Sequence, residues 1–81
     1  MKVAIVTGGN KGIGLAITKD LLKNNYKVIV GARSTYTDEI TKNDVYFIKG
    51  DLRKYENHEK LVDFAINNFG SLDLYVNNLG I

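Results

Sequence analysis

Residues 3–14 read Val3-Ala4-Ile5-Val6-Thr7-Gly8-Gly9-Asn10-Lys11-Gly12-Ile13-Gly14, an apolar strand that runs straight into a glycine-rich turn. A helix-patterned stretch follows, with Leu15, Ala16, Ile17, Leu21 and Leu22 on an otherwise polar segment. A strand, a turn with glycines at 8, 12 and 14, and then a helix is the geometry that holds a nucleotide diphosphate. A side chain in the turn would block the approach of backbone to pyrophosphate, and the turn uses torsions closed to other residues. The helix opening near Gly12 aims its unpaired N–H groups and the positive end of its dipole at the phosphates. A second apolar strand, Val28-Ile29-Val30, completes a βαβ unit. The spacing is neither G-x-G-x-x-G nor a G-x-x-x-x-G-K-[ST] phosphate loop, because Gly12 and Ile13 follow Lys11. The competing reading, a glycine turn that merely starts a helix, does not account for the flanking strands.

Outward from this unit, strands are expected at about residues 2–7, 27–32, 45–49 and 73–77, with helices at about 12–24 and 55–69. All four strands are short apolar runs, as a parallel sheet covered on both faces requires. The first helix carries Ile13, Ile17 and Leu21 at i, i+4 and i+8, widened by Ala16 and Leu22, and ends at Asn24-Asn25. The second carries Leu61, Val62, Ala65, Ile66 and Phe69 on one face and stops at Gly70. His58 continues that face one turn earlier and reads as a partly buried structural histidine, since no partner motif surrounds it. Residues 33–44 connect the second strand to the third. A dozen residues is about the minimum for a parallel crossover, so one helical turn at most fits there and one sheet face is expected to be thinly covered. The fold class is α/β: a partial, Rossmann-like doubly wound parallel sheet of four strands in the order 3-2-1-4 with two main helices.

Composition narrows the function. The chain has 81 residues, 44% hydrophobic and 25% charged, which is ordinary globular usage for one small domain. It has no cysteine and a single histidine, which excludes disulfides, thiolate metal sites and histidine zinc clusters. A net charge of +2, with lysines scattered along the chain, gives no concentrated basic face for nucleic acid. No apolar run approaches the ~18 residues of a membrane span, and Met1-Lys2 leads into a short strand unlike a signal peptide, so a cytoplasmic location is expected.

Four motifs in order resemble the short-chain dehydrogenase/reductase family. They are Thr7-Gly8-x-x-x-Gly12-x-Gly14, Gly31-Ala32-Arg33-Ser34 after the second strand, Asp51-Leu52 after the third, and Asn77-Asn78-Leu79-Gly80 after the fourth. The glycine motif looks most like the carbonyl-reductase-like members, and the resemblance covers essentially the whole chain. It implies one truncated dinucleotide-binding domain over residues 1–81. Its expected cofactor-binding residues are Gly8, Asn10, Lys11, Gly12, Ile13, Gly14, Arg33, Asp51, Leu52, Asn78 and Gly80. Asp51 would accept a hydrogen bond from the adenine amino group, with Leu52 packing nearby. Asn78 and Gly80 would line the cleft beside the nicotinamide ribose, and Asn77 would tie the fourth strand to its neighbours. The family usually has Ala where this chain has Leu79, a larger side chain on the nicotinamide side.

Charge at the end of the second strand points to the cofactor. An acid there binds ribose hydroxyls and repels a 2′-phosphate, whereas an arginine accommodates it. Here Val30-Gly31-Ala32-Arg33-Ser34 offers no acid, Arg33 can clamp a phosphate through two parallel hydrogen bonds, and Lys11 adds a second positive charge. NADP is expected over NAD.

The family's catalytic Ser, Tyr and Lys lie downstream of the Asn-Asn-Ala-Gly motif, and the sequence here ends at Ile81. No Tyr-x-x-x-Lys spacing occurs within it: Tyr75, for example, is followed four on by Leu79. No catalytic residue is therefore assigned, and the isolated chain is expected to be inactive whether it is a fragment, a truncated product or one part of a split protein. The leading expectation is the NADP-binding portion of an oxidoreductase of this type, working on carbonyls or alcohols. The alternative is a non-catalytic nucleotide-binding or protein-interaction module. A homo-oligomer, or pairing with a missing half, is expected because so small a core is marginal alone and the fourth strand would leave an open apolar edge.

Overall fold

The computed structural model describes residues 1–33 and 44–78. β1 (Lys2–Thr7) leads through the glycine turn into α1 (Gly12–Lys23), and β2 (Tyr26–Ala32) follows. β3 (Val45–Lys49), α2 (Tyr55–Phe69) and β4 (Leu74–Val76) complete the described elements. The four strands form one sheet in the order β3-β2-β1-β4, with every pairing parallel.

β1 is central, and Val3 through Thr7 are all buried. Its period-two alternation sends side chains to two separate apolar layers. Val3 and Ile5, with Ile29 of β2, face Leu61 and Ala65 of α2 and Leu52. Val6, with Val28 and Val30 of β2, faces Ile17, Leu21 and Leu22 of α1. The register aligns these sets, pairing Ile5 with Ile29 and Val6 with Val30. Leu61 settles over Gly31, where a Cβ would come within 2.6 Å of its Cδ1, so α2 lies close to the sheet.

Three details differ from the expectations. On α1 the buried positions are Gly14, Leu15 and Thr18, whereas Ala16 is exposed and Ile13 is 74% exposed. Ile17, Leu21 and Leu22 pack on the sheet as expected, whereas Ile13, in the first turn beside the glycine turn, lines the cleft mouth instead. On α2, Phe64 reaches the core and Ile66 is 47% exposed. Phe64 is drawn inward by Tyr46 and Phe69, with ring centroids at 6.0 Å from each. β4 is shorter than expected because Asp73 meets Val3 partly through its side chain: its Oδ2 accepts the Val3 N–H at 2.8 Å. The expected short helical turn and thinly covered face concern residues 34–43, which lie outside the described residues.

Candidate cofactor-binding cleft

At the carboxyl ends of the strands the chain reverses its winding between β1 and β4, leaving a cleft of about 590 Å³. Gly8, Asn10, Lys11, Gly12 and Ile13 form one wall. Gly31, Ala32 and Arg33 come from the end of β2, Gly50 to Arg53 from beyond β3, and Asn78 from beyond β4. Ten of the eleven expected cofactor residues are therefore placed around one opening: nine line it, and Gly14 lies directly behind the turn. The eleventh, Gly80, lies outside the described residues, as does Leu79.

The turn is held by contacts that tolerate no side chain. Gly8 sits at φ 66°, its N–H donating to the Gly31 carbonyl at 2.7 Å. A Cβ on Gly14 would fall 2.1 Å from the Gly8 carbonyl oxygen and 2.5 Å from Asn78 Nδ2. At Gly12 a Cβ would meet nothing within 4 Å, so this part of the turn is open. Behind it, the buried Thr18 hydroxyl lies 2.9 Å from the Gly14 carbonyl and 3.1 Å from the Gly9 carbonyl, clasping the turn onto its own helix. Thr7 joins β1 to β4: its hydroxyl donates to Asn77 Oδ1 at 3.1 Å and accepts the Asn78 N–H at 2.7 Å.

α1 begins with extended Lys11 at its N-cap, with no side-chain cap and no acid in the first turn. Its leading N–H groups therefore keep their capacity for an anion, which the aligned peptide dipoles favour. The residues fit a dinucleotide by chemistry as well as by space. The glycine turn supplies a backbone cradle, and Lys11 and Arg33 supply positive charge at its rim.

The side of the cleft beyond β3 holds a contact that the sequence does not announce. Asp51 does not cap α2, whose N-cap is Lys54. Its carboxylate is gripped by Arg53, through Nε at 3.0 Å, Nη2 at 2.9 Å and the Arg53 backbone N–H at 3.0 Å. These bonds hold the Asp51 carboxyl well below the usual carboxylate range. The signal was present as Asp51-x-Arg53, but a two-residue spacing in a loop has no fixed geometry. His58 backs this region: Nε2 lies 2.6 Å from the Leu52 carbonyl and Nδ1 is hydrogen-bonded to the Tyr75 hydroxyl. With Nε2 donating to the carbonyl, neutral His58 accepts at Nδ1 from the phenol, whose pKa is raised by burial.

A family model described as short chain dehydrogenase matches residues 2–81. The chain belongs to the short-chain dehydrogenase/reductase family. Among curated relatives, this short-chain dehydrogenase/reductase is 41% identical over 88 residues to dehydrogenase/reductase SDR family member 4 of Caenorhabditis elegans, covering 99% of this chain and 34% of that one. It is 38% identical over 89 residues to xanthoxin dehydrogenase of Arabidopsis thaliana, covering 99% and 31%. Menthone neomenthol reductase from Mentha piperita superposes with a TM-score of 0.81 at 34% identity, covering 99% of this chain and 32% of that one. The chain thus spans about a third of the length of the curated relatives it matches. Short-chain dehydrogenases/reductases bind nicotinamide dinucleotides, and the cleft lies where the fold class places such a ligand.

Proposed function

We infer that this chain holds NADP(H) in the cleft as the nucleotide-binding portion of an oxidoreductase that moves hydride between the cofactor and a carbonyl or alcohol. The observation that carries the reading is the uncapped start of α1 above the glycine turn, with Arg33 directly after β2 and no acid at that strand end. The pyrophosphate takes the turn and the N–H groups of α1. Arg33 and Lys11 take the 2′-phosphate, and Asn78 borders the nicotinamide ribose. No residue of the 81 is assigned a proton-donating role, and the 81 residues alone are expected to bind cofactor without turning over a ketone.

Calorimetric titration with NADPH and NADH tests the reading. NADPH should bind more tightly, and Arg33→Asp should cost about 1–3 kcal/mol of NADPH affinity by removing a charge-assisted contact. Equal affinities in the unaltered chain, or an Arg33→Asp variant with unchanged preference, would refute it. A non-catalytic nucleotide-binding module is the second reading, favoured by a cleft lined by nine of the expected cofactor residues beside no Tyr-x-x-x-Lys spacing. Ketone-dependent NADPH oxidation by the protein in its natural full length separates the two.

A further inference from the structure

Arg53 plays no part in the reading above, yet it grips a charged residue of the cleft through both its guanidinium and its backbone. Its guanidinium and its backbone N–H converge on Asp51, at 2.9 and 3.0 Å from Oδ2 and Oδ1 for the guanidinium and 3.0 Å for the N–H. Asp51 is the one carboxylate lining the cleft among the described residues. Arg33 is close by for a topological reason. The Gly50 N–H donates to the Ala32 carbonyl at 2.9 Å, so Arg33 leaves β2 beside Gly50, and Asp51 is the next residue along. The electrostatic influence of Arg33 on Asp51 is consistent with that placement.

An uncompensated carboxylate here would act twice against a phosphate bound by Arg33. It would repel the phosphate, and it would compete for the same planar guanidinium, which pairs equally well with either anion. We propose that Arg53 is a positioning residue for cofactor selectivity: by closing on Asp51 it offsets that carboxylate's charge and leaves Arg33 for the 2′-phosphate. The proposal rests on the NADP reading for its ligand, but its own content is the coupling among Arg53, Asp51 and Arg33. The side chain of Arg53 is 76% exposed, so its replacement leaves the core untouched.

The test is a double-mutant cycle on the full chain, with Kd measured for NADPH and for NADH. Arg53→Gln should weaken NADPH relative to NADH by about tenfold, the scale of one charged hydrogen bond. Asp51→Asn alone should not weaken NADPH relative to NADH, because it removes the acid and uncovers the Arg53 cation. Adding Asp51→Asn to Arg53→Gln should restore the ratio. A loss that Asp51→Asn fails to rescue would mean that Arg53 touches the phosphate itself, and equal loss of both cofactors would mean that it only shapes the loop. Either result overturns the proposal. A wild-type preference for NADH with the shift and rescue intact would sink the NADP reading and leave the coupling standing. A ligand-free measurement reads the same coupling: exchange of the Arg33 Nε–H, followed by NMR, should slow in Arg53→Gln and recover in the double variant. An unchanged Arg33 signal overturns the proposal without any cofactor present.

Discussion

Replacing Gly14 with alanine sets two effects against each other. Alanine favours a helix over glycine by up to about 1 kcal/mol, so an exposed glycine in α1 would be improved by the change. Gly14 is buried, and its new Cβ would stand 2.1 Å from the Gly8 carbonyl oxygen and 2.8 Å from the Gly8 carbonyl carbon. Both contacts are shorter than real Cβ atoms accept, and both are with backbone, which cannot rotate aside. Gly8 is itself anchored by its 2.7 Å bond to Gly31, so the start of α1 must lift away from the turn. Overpacking of this kind costs about 1–3 kcal/mol, and the rigid partner puts it at the upper end. The net loss is about 2 kcal/mol, or a melting temperature lower by about 8–16 °C for a domain of this size. A circular-dichroism melt measures it, with cofactor titration alongside, where the displaced helix start should also weaken binding. A Gly14→Ala chain that melts at or above the wild-type temperature would show that helix propensity outweighs the turn contact and that the close approach is not rigid.

Leu61→Ala should destabilise the chain by about 2–5 kcal/mol, since Leu61 is 1% exposed and fills the space above Gly31; urea unfolding checks it, and a loss under 1 kcal/mol would contradict the packing. Asp51 has a folded pKa below its unfolded value, so its pairing stabilises the fold above about pH 3.9 and this contribution is lost as pH falls further. Melting temperatures between pH 2 and 6 should therefore show a smaller acid-side drop in Asp51→Asn than in the wild type. Tyr75→Phe removes the partner of His58 Nδ1 and should cost about 1 kcal/mol, read from the same melts. Association is expected from β4, which pairs only with β1 among the described residues and keeps Leu74 37% exposed; light scattering that gives a concentration-independent mass of one chain would rule it out.

The strands, the helices and the glycine turn are legible in the chain, and the resemblance to a Rossmann-like family supplies the order 3-2-1-4 that the sheet adopts. The elements follow from local signals, four short apolar runs and a glycine turn between the first strand and its helix, while nearly invariant crossover handedness fixes the faces of the helices but not the order of the strands. The glycine spacing alone places the turn against backbone, because only a residue without Cβ fits 2.1 Å from Gly8. The inward faces of the helices were less legible. Periodicity places Ile13, Ile17 and Leu21 in one stripe, and the last two do pack on the sheet, but Ile13 borders the cleft because it sits in the first turn, where Gly14 packs against Gly8 and the distant Asn78. Ile66 and Phe64 exchange places because an aromatic ring gains more from Tyr46 and Phe69 than the helical pattern can express. The Arg53 clasp on Asp51 is local to the β3–α2 loop but has no fixed geometry at that spacing, and the reach of His58 to Tyr75 belongs to tertiary structure. Residue type makes each of these partners possible, but the conformation of the β3–α2 loop decides the first and the packing of α2 beside β4 decides the second.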